Sequence, residues 1–207
     1  MDFTKEHLSA ALAELGALAR DQGKVIDIAV YVGSCLMLVS NFRVATRDVD
    51  AVAATDQAFI DSAARIIADR HGWPHDWLND GVRTYLSPAV EGHQHHAFFA
   101  SYPDEATPGL RVFVPTAEYM LAMKLMAMRI DVVTEGDDLD DILNLLDVVG
   151  LARKEDVVAF AAEFYPEARA SAKIVLALDD LWRLREERTK GRLNEPPRYL
   201  GRSGAPR

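Results

Sequence analysis

The stretch from Val25 to Val52 constrains the fold more than any other part of the chain. Val25 to Val32 is apolar and β-branched, the composition of a buried strand, and it runs directly into Gly33-Ser34. Ser34 to Phe42 reads as a short helix whose N-terminus abuts that pair, and Asp48 to Ala53 reads as the next strand. Thirteen residues separate Ser34 from Asp48. A strand, a tight turn, a helix and a second strand in so short a space call for a sheet with helices packed against it.

The same stretch carries chemistry. Side chains alternate faces along a strand, so Asp48 and Asp50 point the same way. Two like charges held that close repel unless a cation sits between them, and hard carboxylate oxygens suit Mg²⁺. A Gly-Ser turn that enters a helix offers backbone N–H groups and a hydroxyl to a phosphate. Gly33, Ser34, Asp48 and Asp50 thus read as a metal–triphosphate site. Thr46 and Arg43 belong to the same constellation. Arg43 and Arg47 flank the aspartates; they compensate the charge, hold a phosphate, or are ordinary surface arginines.

Around this centre the chain divides into an α/β front half and an all-helical back half. Thr4 to Gln22 has Leu8, Leu12, Leu15 and Leu18 at helical spacing, with Thr4 as N-cap and Gly23 as stop. Ile60 to His71 is an amphipathic helix, and the following Gly72–Gly81 segment is turn-rich with two tryptophans. Short strands are expected at His96–Ser101 and Leu110–Val114. Helices are then expected from Pro115-Thr116 to about Val132 or Val133, from the acidic residues 135–141 to Gly150, near 155–164, and near Glu167–Arg188.

The helix containing Tyr119 to Ile130 is apolar almost all the way round, so it is buried. Lys124 sits in its middle. A buried ammonium costs several kcal/mol unless a counter-charge is close; otherwise the long stem snorkels to the surface. Asp138 and Asp141 share a helix face downstream. Acidic residues favour a first helical turn in any case, but pairing with Lys124 answers the need of both sides. On a strand His93 and His95 would share a face, yet no cysteine or further histidine stands at zinc-site spacing.

Composition narrows the class. A chain of 207 residues, 49% hydrophobic and 27% charged, is ordinary for a globular protein. No apolar run reaches the roughly 18 residues of a membrane span. The N-terminus lacks a signal-peptide pattern, and the lone Cys35 cannot form an internal disulfide, so a cytoplasmic setting is expected. The net charge of −9 argues against a nonspecific nucleic-acid coat. The basic run from Arg183 onward either binds RNA or an acidic partner, or is a solvated helix end and terminus.

The pattern hydrophobic-Gly33-Ser34, short helix, Arg43-Val-Ala-Thr46-Arg47-Asp48-Val-Asp50 resembles the nucleotidyltransferase superfamily with the DNA polymerase β-like fold. The Asp76–Asp80 loop, Ala122-Met-Lys124-Leu-Met-Ala-Met-Arg129 and Asp138-Leu-Asp-Asp141-Ile142 narrow the likeness to AbiEii toxin-like proteins, the DUF6036 set above all. It spans about residues 25–150. It implies an α+β fold with a short mixed β-sheet flanked by helices. The implied layout is a nucleotidyltransferase core over 1–115, a C-terminal helical region packed on it over 116–188, and a loosely ordered basic tail over 189–207.

The implied activity is Mg²⁺-dependent transfer of a nucleotide from an NTP to an acceptor, with tRNA or another RNA as the toxin-like case. Asp48 and Asp50 would bind the metal. Ser34 would contact the β- and γ-phosphates, with Gly33 allowing close approach. Lys124 and Asp138 would complete the catalytic set, and Arg43, Thr46, Arg47, Lys124 and Asp141 would serve nucleotide binding. Strand 110–114 has no carboxylate, so Asp138 does that work from a helix or the site is degenerate. Two further readings stay open: a nucleotide-binding module without catalysis, and a toxin or antitoxin partner that acts by protein contact.

Overall fold

The structure is a computed structural model that describes residues 2–40, 42–128, 137–191 and 199. It is a mixed α+β protein built on a five-stranded mixed sheet. Helix α1 (Lys5–Asp21) opens on Thr4, whose hydroxyl accepts from the His7 N–H while His7 reaches back to the Thr4 N–H, a reciprocal cap. Leu8, Leu12 and Leu15 are fully buried. The short strand β1 (Phe3–Thr4) pairs antiparallel with β3 (Ala45–Thr46).

Strand β2 (Ile26–Tyr31) leads into α2 (Val32–Val39), and β4 (Val49–Ala53) returns antiparallel to β2. Helix α2 begins two residues earlier than the sequence suggests and stops at Ser40, whose backbone bridges to Tyr199 instead of continuing the helix. Strand β4 begins at Val49 rather than Asp48. The Thr46 hydroxyl donates to the Asp48 carbonyl at 3.0 Å and fixes a bend there. Helix α3 (Gln57–His71) starts at the Asp56 cap, three residues before the apolar stripe.

The turn-rich segment supplies a strand that periodicity does not show, β5 (Leu78–Asn79), parallel to β4. Trp77 anchors it. The indole is 1% exposed, its N–H donates to the Ala64 carbonyl of α3 at 2.9 Å, and its own carbonyl accepts from Val49. A five-residue 3₁₀ turn (Gly81–Tyr85) follows. Strands β6 (His96–Tyr102) and β7 (Leu110–Pro115) form a hairpin, and β7 lies parallel to β2, giving the order β5-β4-β2-β7-β6.

Along β2, Ile26, Ile28 and Val30 are buried on the α1 side, while Asp27, Ala29 and Tyr31 face the other way. That second face is roofed by the 81–92 segment and by α4 (Ala117–Ala127). Thr116 caps α4, and Ala117 and Tyr119 to Leu125 are all buried. The helix ends at Ala127, short of the expected Val132; residues 129–136 lie outside the described residues. Helix α5 (Asp137–Val149) presents Asp138 and Asp141 to Lys124. Helices α6 (Glu155–Phe164) and α7 (Glu167–Gly191) pack on each other and on α4. The α7 helix runs past Arg188, and most of the basic tail lies outside the described residues. No helix among the described residues is long and apolar enough to cross a membrane.

Candidate functional site

Asp50 lies on β4 with Tyr31 as its neighbour on one side and Asn79 on the other. Its carboxylate faces a cavity of about 210 Å³ between the sheet, the 3₁₀ turn and α4. Val82, Tyr85, Met120 and Met123 make the apolar wall, and Asp50, Lys124 and Asp138 the polar one. Burial, and next the like charge of Asp48, push the Asp50 carboxyl up to about 6, with Lys124 partly offsetting both. Asp48 stands one residue ahead of the strand and is exposed.

Behind the polar wall is an ion-pair network that joins three elements. Lys124 is 5% exposed, and its Nζ donates to Asp138 Oδ1 at 2.6 Å and lies 2.9 Å from Asp141 Oδ2. Arg43 donates from Nε and Nη2 to Asp141 at 3.0 and 2.7 Å, a forked contact that holds the carboxylate rigidly. Asp141 is therefore the buried counter-ion of two cations. Asp138, 78% exposed at its side chain, stays at the cavity rim.

Gly33 explains its own identity. A Cβ there would come 3.1 Å from the Thr46 hydroxyl and 3.3 Å from Arg43 Nη1. The α2 start thus packs against the loop that carries Arg43. Val32, at the same corner, has φ +53, a left-handed conformation that costs a β-branched residue on the order of 1–3 kcal/mol. It also lines the cavity.

Of the residues singled out in the sequence, the fold draws Asp50, Lys124 and Asp138 to one cavity, with Asp48, Arg43 and Asp141 beside them. Gly33 and Thr46 brace Arg43. Ser34 does not face the cavity: it is 1% exposed, and its hydroxyl donates to the Tyr31 carbonyl at 2.7 Å. Arg47 is exposed and stands outside the cavity lining. Val32, Asn79, Gly81 and the cavity methionines were given no site role by the sequence reading. Asn79 and Met123 entered only as members of the Asp76–Asp80 and Ala122–Arg129 motifs, and the strand pairing of Asn79 is too short to read from periodicity.

The donor set suits Mg²⁺. Lys124 and Arg43 pair with Asp138 and Asp141, which leaves the charges of Asp48 and Asp50 for a divalent ion to neutralise. The half-buried Asp50 oxygen is a hard ligand short of positive charge. The described residues contain no group of three His, Cys, Asp or Glu placed to hold a metal.

The histidines disperse. His93 stacks on Phe113 with its Nε2 3.5 Å from Asp27, and His95 sits at φ +57. The His96 Nε2 accepts from the Tyr31 hydroxyl at 2.8 Å with Nδ1 toward the Gln94 carbonyl, and burial lowers its pKa. A second cavity of about 310 Å³ runs past Asp27, Tyr31 and His96 on the same sheet face. The described arginines of the basic run are bound to carboxylates or amides: Arg183 to Asp180 and Glu187, Arg185 to Asp147, Arg188 to Asn144.

Comparison with protein-family models, with curated proteins and with solved structures gives no match for this chain.

Proposed function

We propose that the protein is a Mg²⁺-dependent nucleotidyltransferase that moves a nucleotide from an NTP to an acceptor. The observation that carries this reading is the convergence of Asp50, Lys124 and Asp138 on one cavity, with Asp141 and Arg43 paired behind Lys124. The resemblance of the Gly33-Ser34…Asp48-x-Asp50 pattern to the superfamily supports it independently.

In this reading Asp48 and Asp50 hold the metal. Bound there, Mg²⁺ neutralises triphosphate charge and favours attack by an acceptor hydroxyl. Lys124 faces the same cavity and meets a phosphate as a point charge. Asp141 and Arg43 keep that ammonium aimed, and Asp138 at the rim is the remaining carboxylate able to take a proton. The cavity's methionines and Tyr85 offer an apolar surface for a base. Its volume suits a base or nucleoside part, with the triphosphate toward the acidic rim.

The test is label transfer from α-³²P-NTPs to total RNA, tRNA and a panel of proteins with Mg²⁺ present. Transfer is expected for the wild type and absent for Asp48→Ala and Asp50→Ala at unchanged circular dichroism. No transfer to any acceptor would sink the enzymatic reading. A second reading, a nucleotide-binding module without turnover, draws on the turned-in Ser34 hydroxyl. It is preferred if NTP raises the melting temperature without being consumed.

A further inference from the structure

The second cavity, of about 310 Å³, lies on the same sheet face as the first but shares none of its lining residues. Its walls are mostly apolar, with Val52 of β4 and Leu86 and Val90 of the segment that roofs the sheet. An apolar pocket of this size with a few polar groups inside is where small organic molecules bind. The carboxylate in its lining, Asp27, is gripped by Arg111 through Nε at 2.6 Å and Nη2 at 2.9 Å. Burial lowers the pKa of His96 and raises those of Tyr31 and Tyr119, so all three are uncharged near neutral pH. A charged group placed against them would lose its hydration and meet no opposite charge.

Two phenols in the lining have opposite hydrogen-bonding needs. The His96 Nδ1–H donates to the Gln94 carbonyl at 2.8 Å, which leaves Nε2 to accept, so Tyr31 is the donor in the 2.8 Å bond between them. The Tyr31 oxygen then meets any further partner as an acceptor only. Tyr119 is the reverse. Its oxygen accepts the Ser87 N–H at 2.9 Å, and among the described residues no acceptor takes its own proton. The side chain is 1% exposed, and a donor buried so far costs free energy until it is met. The two phenols are close enough for Tyr119 to raise the Tyr31 pKa, yet their hydroxyls do not bond to each other.

We propose that this cavity binds a small neutral amide with an apolar or aromatic body. Its carbonyl oxygen takes the Tyr119 proton, its N–H donates to the Tyr31 oxygen, and its body lies against Val52, Leu86 and Val90. An amide presents an acceptor and a donor side by side, as the two hydroxyls require. A carboxylate has no donor, an ammonium has no acceptor, and both are charged. The site stands apart from the metal and nucleotide readings, which use other residues.

The experiment is titration of benzamide into the ¹⁵N-labelled full chain, followed by NMR, with acetophenone and benzoate as controls. Benzamide is expected to shift the amides of residues 27–31, 52–54 and 86–93, which surround the cavity. It is expected to bind about fivefold more tightly than acetophenone, which lacks the N–H, the worth of one hydrogen bond. Benzoate is expected to bind most weakly. Tyr31→Phe brings benzamide down to the acetophenone level and leaves acetophenone unchanged, because only benzamide uses the Tyr31 oxygen. Tyr119→Phe weakens both by about fivefold. A purely structural role for either tyrosine would lower the melting temperature without separating the two ligands in this way. Val52→Phe fills the cavity and abolishes the shifts. No shifts at millimolar benzamide, or shifts confined to other residues, would overturn the site. Equal affinity for the three ligands would overturn the amide assignment. Should a variant not fold, the wild-type shift map and ligand order decide.

Discussion

Asp50 is the residue at which burial and charge are most directly opposed. Its carboxyl titrates at about 6 in the folded chain against 3.8 unperturbed, so the folded state binds its proton more tightly. The cost of ionising it is fully present above pH 6 and disappears as the pH falls to 3.8. Asp50→Asn is therefore expected to stabilise the metal-free protein by about 1 kcal/mol at pH 8, after discounting for partial exposure, with the gain vanishing near pH 4. Urea unfolding in EDTA at the two pH values measures it. Asp141 is the opposite case, a carboxylate made indispensable by its partners. Replacing it with Ala removes the buried counter-ion of Arg43 and Lys124 and leaves the exposed Asp138 beside them, and is expected to cost about 3 kcal/mol. Lys124→Met leaves Asp141 in the forked grip of Arg43 and is expected to cost less than about 2 kcal/mol. Equal losses in chemical denaturation would contradict that ordering.

Elements are joined here by glycines as much as by apolar side chains. Helix α1 crosses the β6–β7 hairpin at near backbone contact. A Cβ on Gly16 would fall 2.5 Å from the Tyr102 carbonyl oxygen, and one on Gly109 would fall 1.9 Å from the Gly16 carbonyl oxygen. Both clashes are with backbone, which cannot swing aside. Gly109→Ala is expected to destabilise by about 1–3 kcal/mol through overpacking, read as a lower urea midpoint at constant slope. A normal midpoint would show that the hairpin yields. The same logic places the site: Trp77, locked to α3 and to Val49, carries Asn79 to the side of Asp50. The ion-pair network, in turn, ties the loop after α2 to α4 and α5.

At the scale of the whole molecule, residues far apart in the chain close over one another. Tyr199 donates its hydroxyl to the Pro115 carbonyl at 2.9 Å, contacts the Cys35 sulfur at 3.4 Å and lies beside Phe42. Cys35 is fully buried, and desolvation pushes its thiol up to about 12. The full chain is expected to leave Cys35 unreactive toward a thiol reagent such as DTNB under native conditions. A chain ending at Gly191 lacks Tyr199 and is expected to react with it and to melt at a lower temperature. Rapid labelling of the full chain would show that Tyr199 does not seal this corner.

Much of the architecture was legible in the residues themselves. The Thr4 cap with Leu8, Leu12 and Leu15, the β-branched run before Gly33 and the all-apolar helix around Lys124 follow from periodicity and burial cost, which act between near neighbours. An ammonium in an apolar helix requires an anion, so a carboxylate partner was also implied. Which one was not: Asp138 and Asp141 share a face, and only the docking of α5 and of the Arg43 loop makes Asp141 the buried ion and leaves Asp138 at the rim. The inward turn of the Ser34 hydroxyl and the seat of Asn79 beside Asp50 were equally out of reach. A two-residue strand has no period to read, and a hydroxyl takes whichever acceptor the folded backbone offers. The sequence by itself determined which groups need partners, because solvation and propensity are local. The tertiary structure decided which partners they have, because register and helix docking act between residues that the chain separates by 98 positions at the Arg43–Asp141 pair and by 164 at Cys35 and Tyr199.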